Sequence, residues 1–106
     1  MSTVVPLNKP VKAHGEEVSE LILREPVTKD VIELGLPTLI VPGADGKSVG
    51  IELRQGVISR YVSRLAQIPM SSVEALSLSD FSACSAVVMG FFDMSDGETI
   101  PVRPTT

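Results

Sequence analysis

The chain has one cysteine, Cys84, and one histidine, His14. A thiol nucleophile needs a base within hydrogen-bond reach, and a general base needs a placed partner. Cys84 lies in an apolar run, where a thiol is inert. His14 opens the turn-forming stretch His14-Gly15-Glu16-Glu17 and is expected at the surface. A lone cysteine also excludes an intrachain disulfide and a cysteine-based zinc site, and suits a reducing compartment. The stretch Gly43-Ala44-Asp45-Gly46-Lys47-Ser48 imitates a phosphate loop, after an apolar run and before an expected helix. A phosphate loop needs glycine where Val41 stands, and Pro42 has no N–H to offer a phosphate. Asp93-Met94-Ser95-Asp96-Gly97-Glu98 imitates a calcium loop, but Phe92 and Met94 fall at ligand positions. With no Ser/His/Asp set, no paired histidines and no glycine-rich elbow, the sequence points away from an enzyme and calls for no cofactor or metal.

Around these residues there is room for one domain: 106 residues, 11.3 kDa. Nine Lys and Arg against thirteen Asp and Glu give a net charge of −4 and a pI near 4.8. Such a chain is a poor nucleic-acid ligand, because neutralising phosphates takes a surplus of cations. A hydrophobic share of 43% and a mean hydropathy of +0.28 suffice for a core. The start lacks the basic, then apolar pattern of a signal peptide. The most apolar stretch, Ala83–Phe92, is half the length of a membrane span. The expectation is a soluble cytoplasmic protein that touches neither nucleic acid nor membrane.

The elements follow from punctuation and period. Residues 1–9 read as a flexible lead-in, 10–92 as a single α+β domain and 93–106 as a flexible polar tail. Val11–Ala13 and Val18–Leu23 flank Gly15 as a β-hairpin, with Ser19, Leu21 and Leu23 on one side and Val18, Glu20 and Ile22 on the other. Thr28 as N-cap, Asp30 in the first turn and Gly35 past the end predict a helix over 28–34. Residues 36–50 read as a loop with a short strand at Thr38–Val41. Apolar residues from Ile51 through Val57, Ile58, Tyr61, Val62 and Leu65 to Ile68 recur at helical spacing, and Pro69 stops the run. Gly56 loosens its first turns. Ser71 with Glu74, then Ser77 with Asp80, predict two further helix starts, over 71–76 and 78–92. The fold class is therefore α+β, an N-terminal β-hairpin followed by a bundle of three to four helices. The long helix and the last one are expected to pack through Ile58, Tyr61, Val62 and Leu65 against Phe81, Cys84 and Val88.

Two features stand above background. The last helix is apolar around most of its circumference and holds all three phenylalanines, Phe81, Phe91 and Phe92, beside Val87, Val88 and Met89. Such a helix is either the central core helix or a face for a partner. Charge is also segregated: no Lys or Arg occurs from Leu65 to Val102, whereas Arg54, Arg60 and Arg64 cluster before it. Arg60 and Arg64 share a helix face. They meet either acidic groups of their own chain or the acidic tail of a second copy. The candidate protein-binding residues are accordingly Phe81, Val87, Val88, Met89, Phe91, Phe92, Arg60 and Arg64.

The order of short motifs resembles a known family. Pro10-Val11, His14-Gly15, Val18, Glu20-Leu21, Leu23-Arg24-Glu25-Pro26 and Lys29-Asp30 look like the opening of the small tail assembly chaperones of Mu-like and P2-like contractile-tailed phages. Leu65-Ala66-Gln67-Ile68-Pro69, Ser72-Val73, Leu76, Leu78 and Asp80-Phe81 resemble the second half of the same family. The match spans Val11 to Phe92, and residues 36–50 depart from the pattern. The resemblance implies a non-enzymatic protein of the host cytoplasm that coats and solubilises the tape measure protein while the tail tube assembles. It also implies a longer form made by ribosomal frameshift, for which a run of T encoding Phe91-Phe92 would supply the slip site. A small acidic chain with an apolar helix suits that task, since net charge keeps a coated partner in solution, and many copies on one chain act multivalently. The alternative is a small structural tail or connector subunit of the virion, acting by self-association.

Overall fold

The computed structural model describes residues 2–92, so the expected tail over 93–106 lies outside them. The class is α+β as read from sequence: an N-terminal antiparallel hairpin, then four helices. In chain order the elements are β1 (Ser2–Ala13), β2 (Glu16–Arg24), α1 (Thr28–Leu34), β3 (Thr38–Pro42), β4 (Val49–Leu53), α2 (Gln55–Ala66), α3 (Met70–Glu74) and α4 (Leu78–Phe91). β1 pairs with β2, and β3 with β4, as separate two-stranded sheets.

The first hairpin turns at His14 and Gly15, with φ of 55° and 80°. Two consecutive positive φ values give the turn hand that matches strand twist. Leu21 and Leu23 point inward with Val5, Val11 and Ala13, while Val4 and Ile22 pair across the ladder on the exposed side. Ile22 thus stands on the outer face, as its place between two leucines requires. Residues 2–9, which the sequence reading places before the domain, are strand residues instead. Val5 opposite Leu21 is buried and draws them into the sheet. The ladder shifts register between Pro6 and Val11, leaving a bulge in β1.

α1 keeps its expected span, but its cap differs. Val27, not Thr28, holds the N-cap position. The Val27 N–H donates to the Asp30 carboxylate at 2.9 Å, reaching into the first turn. Gly35 ends the helix at φ 84°, as expected. The largest correction concerns residues 36–53. The short strand expected at Thr38–Val41 is present as β3, but the rest of the expected loop and the first turn of the expected long helix complete a second hairpin, with Thr38 opposite Leu53 and Pro42 opposite Val49. Val49-Gly50-Ile51-Glu52-Leu53 alternates at the strand period, so Ile51 belongs to β4 and α2 starts only at Gln55. α2 is therefore 12 residues long. That makes it about 18 Å, two-thirds of the length predicted for residues 51–68. Its C-cap, Gln67, is left-handed at φ 58°.

α3 begins at Met70 with Pro69 at its N-cap, and Ser71 is not the cap. Pro69 has the fixed φ and the missing N–H that suit a helix entry. Ser77 does cap α4, its Oγ accepting from the Asp80 N–H at 3.2 Å. α2 buries Val57, Ile58, Tyr61, Val62 and Leu65, a stripe at helical spacing. The stripe meets Leu21 and Leu23 of β2 on one side and Cys84 and Val88 of α4 on the other, in a single core cluster.

Candidate interaction surface

α4 is fixed first at its N-terminal turn. Asp80 is buried, and its two carboxylate oxygens accept the N–H groups of Asn8 at 2.9 Å and Lys9 at 3.0 Å. These amides lie in the β1 bulge, where the ladder no longer uses them. The Asn8 amide, seconded by Lys9 and the Ser77 hydroxyl, holds the Asp80 carboxyl below the usual range. One and two turns on, Cys84 and Val88 continue the same inward stripe, both fully buried. Burial, with the Asp80 charge behind it, pushes the Cys84 thiol up to about 11, so it stays protonated and inert.

Side-chain size divides the surface of α4. Large residues flank the inward stripe: Phe81, Val87, Met89, Phe91 and Phe92 are half-buried against the core. Phe92 packs edge-on to Tyr61, with ring centroids 5.3 Å apart. The outward side carries Ser82, Ala83, Ala86 and Gly90, all small and all exposed. Leu78, at the helix start, is 80% exposed. Of the candidate residues, Val88 has no exposed surface and belongs to the core.

An open groove of about 590 Å³ runs between this small-residue side and the base of the second hairpin. Leu53, Gln55, Leu78, Phe81, Ala86 and Met89 are among its walls. Ser85 also lines it, and the Ser85 Oγ is buried with no hydrogen-bond partner among the described residues. A second groove, lined by Met70, Val73 and Glu74, shares Gln55, Leu78 and Phe81 with the first. The two grooves adjoin at these shared residues near the start of α4.

Arg60 and Arg64 do not line the α4 groove. Arg64 reaches α1, at 2.6 Å from Glu33 and 3.3 Å from Asp30. Arg60 is exposed and has no ion pair among the described residues. The intrachain alternative therefore holds for Arg64. Asp30 is buried and also receives Arg24 at 2.9 Å. Arg24 first, then the Val27 amide and Arg64, hold the Asp30 carboxyl far below the usual range, against the opposing effect of burial. This cluster sets α1 against β2 and α2 and is structural.

The imitation phosphate loop is the tip of the second hairpin and leads into β4, not into a helix. The Asp45 carboxylate already accepts the amides of Lys47 at 2.9 Å and Ser48 at 3.0 Å. It stands where a phosphate would have to bind. His14 is at the surface as expected, and its Nε2 is 2.9 Å from the Gln67 carbonyl. Among the described residues no group of three or more His, Cys, Asp or Glu could hold a metal ion. No helix among them is long and apolar enough to cross a membrane.

Sequence reading misses Asp80 as an anchor, because two backbone amides distant in the chain leave no motif. It also misses β4, although period-two alternation behind an Asp-Gly turn was a legible signal.

Residues 4–93 match the family model described as "Phage tail assembly chaperone proteins, E, or 41 or 14". Neither the curated proteins nor the solved structures provide a match.

Proposed function

The chain belongs to the phage tail assembly chaperone family, and from that premise we propose that it binds the tape measure protein and keeps it soluble while the tail tube is built. The observation that carries the reading is the span of the family match, which takes in both hairpins and all four helices. The apolar track along α4 supports it physically. Exposed small residues let a partner helix approach the α4 backbone closely, while Phe81 and Met89 offer adaptable apolar walls. On this reading Phe81 and Met89 contribute the face, Val87, Phe91 and Phe92, which line neither groove, support it from the core side, and Arg60 contributes a peripheral charge. The chain acts by binding alone, in the host cytoplasm, and a frameshifted longer form would extend beyond Phe92.

The test is co-expression with the long helical protein encoded just downstream, followed by affinity purification. Recovery of a soluble pair, with the long partner insoluble alone, is the expected outcome. Ala86→Arg fills the groove from an exposed position without touching the core, and should lower recovery at least about tenfold. Equal solubility of the partner alone, with no pair recovered, would sink the reading in favour of a virion subunit.

A further inference from the structure

The β3–β4 hairpin stands apart from the core, with no other element packed broadly on it. Its two edges are not alike. The Arg54 N–H donates to the Pro37 carbonyl at 2.8 Å, and the Gly43 N–H to the Ser48 carbonyl at 2.7 Å. Both couples belong to the register that sets Ile40 opposite Ile51. Hydrogen-bonded and non-hydrogen-bonded couples alternate in an antiparallel ladder. Val49, Ile51 and Leu53 therefore turn their N–H and C=O groups away from β3. On the opposite edge the outward residues are Thr38, Ile40 and Pro42, and Pro42 has no N–H, so that edge is interrupted. The β4 edge is complete. Its three outward residues are also its apolar row: Val49 and Ile51 are each 70% exposed and Leu53 is 48% exposed. An open edge with an apolar face is a template for another strand, and a lone hairpin is marginal in water.

We propose that the β4 edge pairs with the β4 edge of a second copy of this chain, antiparallel about a two-fold axis at Ile51. The strand is self-complementary in that register. Val49 meets Leu53 of the second copy, Ile51 meets Ile51, and all three outward residues gain both backbone hydrogen bonds. Glu52 stands opposite Gly50 of the second copy. A shift of two residues one way sets Glu52 against Glu52, a destabilising like-charge couple. The opposite shift sets Leu53 against Lys47 at the turn. Net charge does not oppose the contact locally. Residues 36–54 hold Asp45 and Glu52 against Lys47 and Arg54, so the arm is neutral within a chain of net −4. The result is a four-stranded sheet across an isologous interface. It uses only the chain's own edge and does not rest on the tape measure reading.

The test uses the full chain alone. Light scattering should give a dimer, and Ile51→Asp, which sets a charge at the centre of the joint, should raise the dissociation constant by about a hundredfold. The far-UV spectrum should stay unchanged, because Ile51 lies outside the core. Register is read separately with Gly50→Cys and Glu52→Cys. These positions form a non-hydrogen-bonded couple across the joint, close enough for a disulfide. An oxidised mixture of the two variants should cross-link about tenfold more than either alone. Cys84 is buried and stays silent in that assay. A wild-type chain that is monomeric at about 1 mM would overturn the proposal. So would a dimer that survives Ile51→Asp, or a mixture that cross-links no better than its components. Pairing of β4 only with an extended segment of another protein would count against it as well.

Discussion

Two buried carboxylates do most of the positioning, and they do it differently. Asp30 gathers two arginines and one amide, tying β2, α1 and α2 together. Asp80 takes two amides from the β1 bulge and so fixes where α4 begins. Removing the Asp30 side chain takes the carboxylate from Arg24 and the acceptor from the Val27 amide, while Arg64 keeps Glu33. Asp30→Ala should therefore cost about 2 kcal/mol in urea unfolding at neutral pH. The sign of the pH dependence follows from the direction of both shifts. Each carboxyl lies below its ordinary value in the folded chain, so each contributes fully above about pH 5. That contribution is lost as pH falls below about 4 and through the folded values. The wild-type urea midpoint should drop between pH 6 and about pH 3, and the drop should be smaller in Asp30→Ala. An equal drop in the two proteins would remove Asp30 from the account. Neither anchor was legible as such, because the sequence displays Asp30 and Asp80 only as helix-start residues. Their partners, Arg64 and the Asn8 and Lys9 amides, are brought to them by tertiary packing.

At the scale of elements, what could be read was what local chemistry decides. The Ser77 cap, the Gly35 stop, the His14-Gly15 turn and the inward side of β2 are each set within a few residues, and each was legible. The misreadings fall where two periods run together. Ile51 is spaced from Val57 and Ile58 closely enough to extend a helix, yet it belongs to the alternating row Val49, Ile51 and Leu53. Pro69 marks the end of α2 in the sequence, but the helix already closes at Gln67 in the left-handed region, where a side chain is strained. Gln67→Gly keeps the backbone carbonyl that meets His14 and relieves that strain. It should raise stability by about 0.5–1 kcal/mol in thermal or urea unfolding. A loss of stability would mean that the Gln67 side chain does more than its place at the surface suggests. The candidate surface was half legible. The all-round apolarity of α4 is visible in the sequence and singles out the helix proposed above as the face. Its division into large flanking residues and a small outward face depends on where α2 and β1 sit.

The whole molecule thus presents two contacts on one small body: an apolar track beside α4, and a strand edge at the end of a neutral arm, with Leu53 common to both. On the proposed function a coat on a long chain would use both, since a weak grip on each segment gains strength when neighbouring copies are linked. The two should therefore fail in different ways when the partner is co-produced. Ala86→Arg removes the grip itself, so the long partner should stay insoluble however much of the variant is supplied. Ile51→Asp leaves the grip and removes the link. That variant should solubilise the partner at high molar excess and fail at limiting supply, where the wild type succeeds. Titrating each variant against a fixed amount of partner and measuring the soluble fraction distinguishes them. If Ile51→Asp fails at every ratio, the arm itself touches the partner. If it matches the wild type throughout, linkage between copies contributes nothing to coating, and single copies hold the partner one segment at a time.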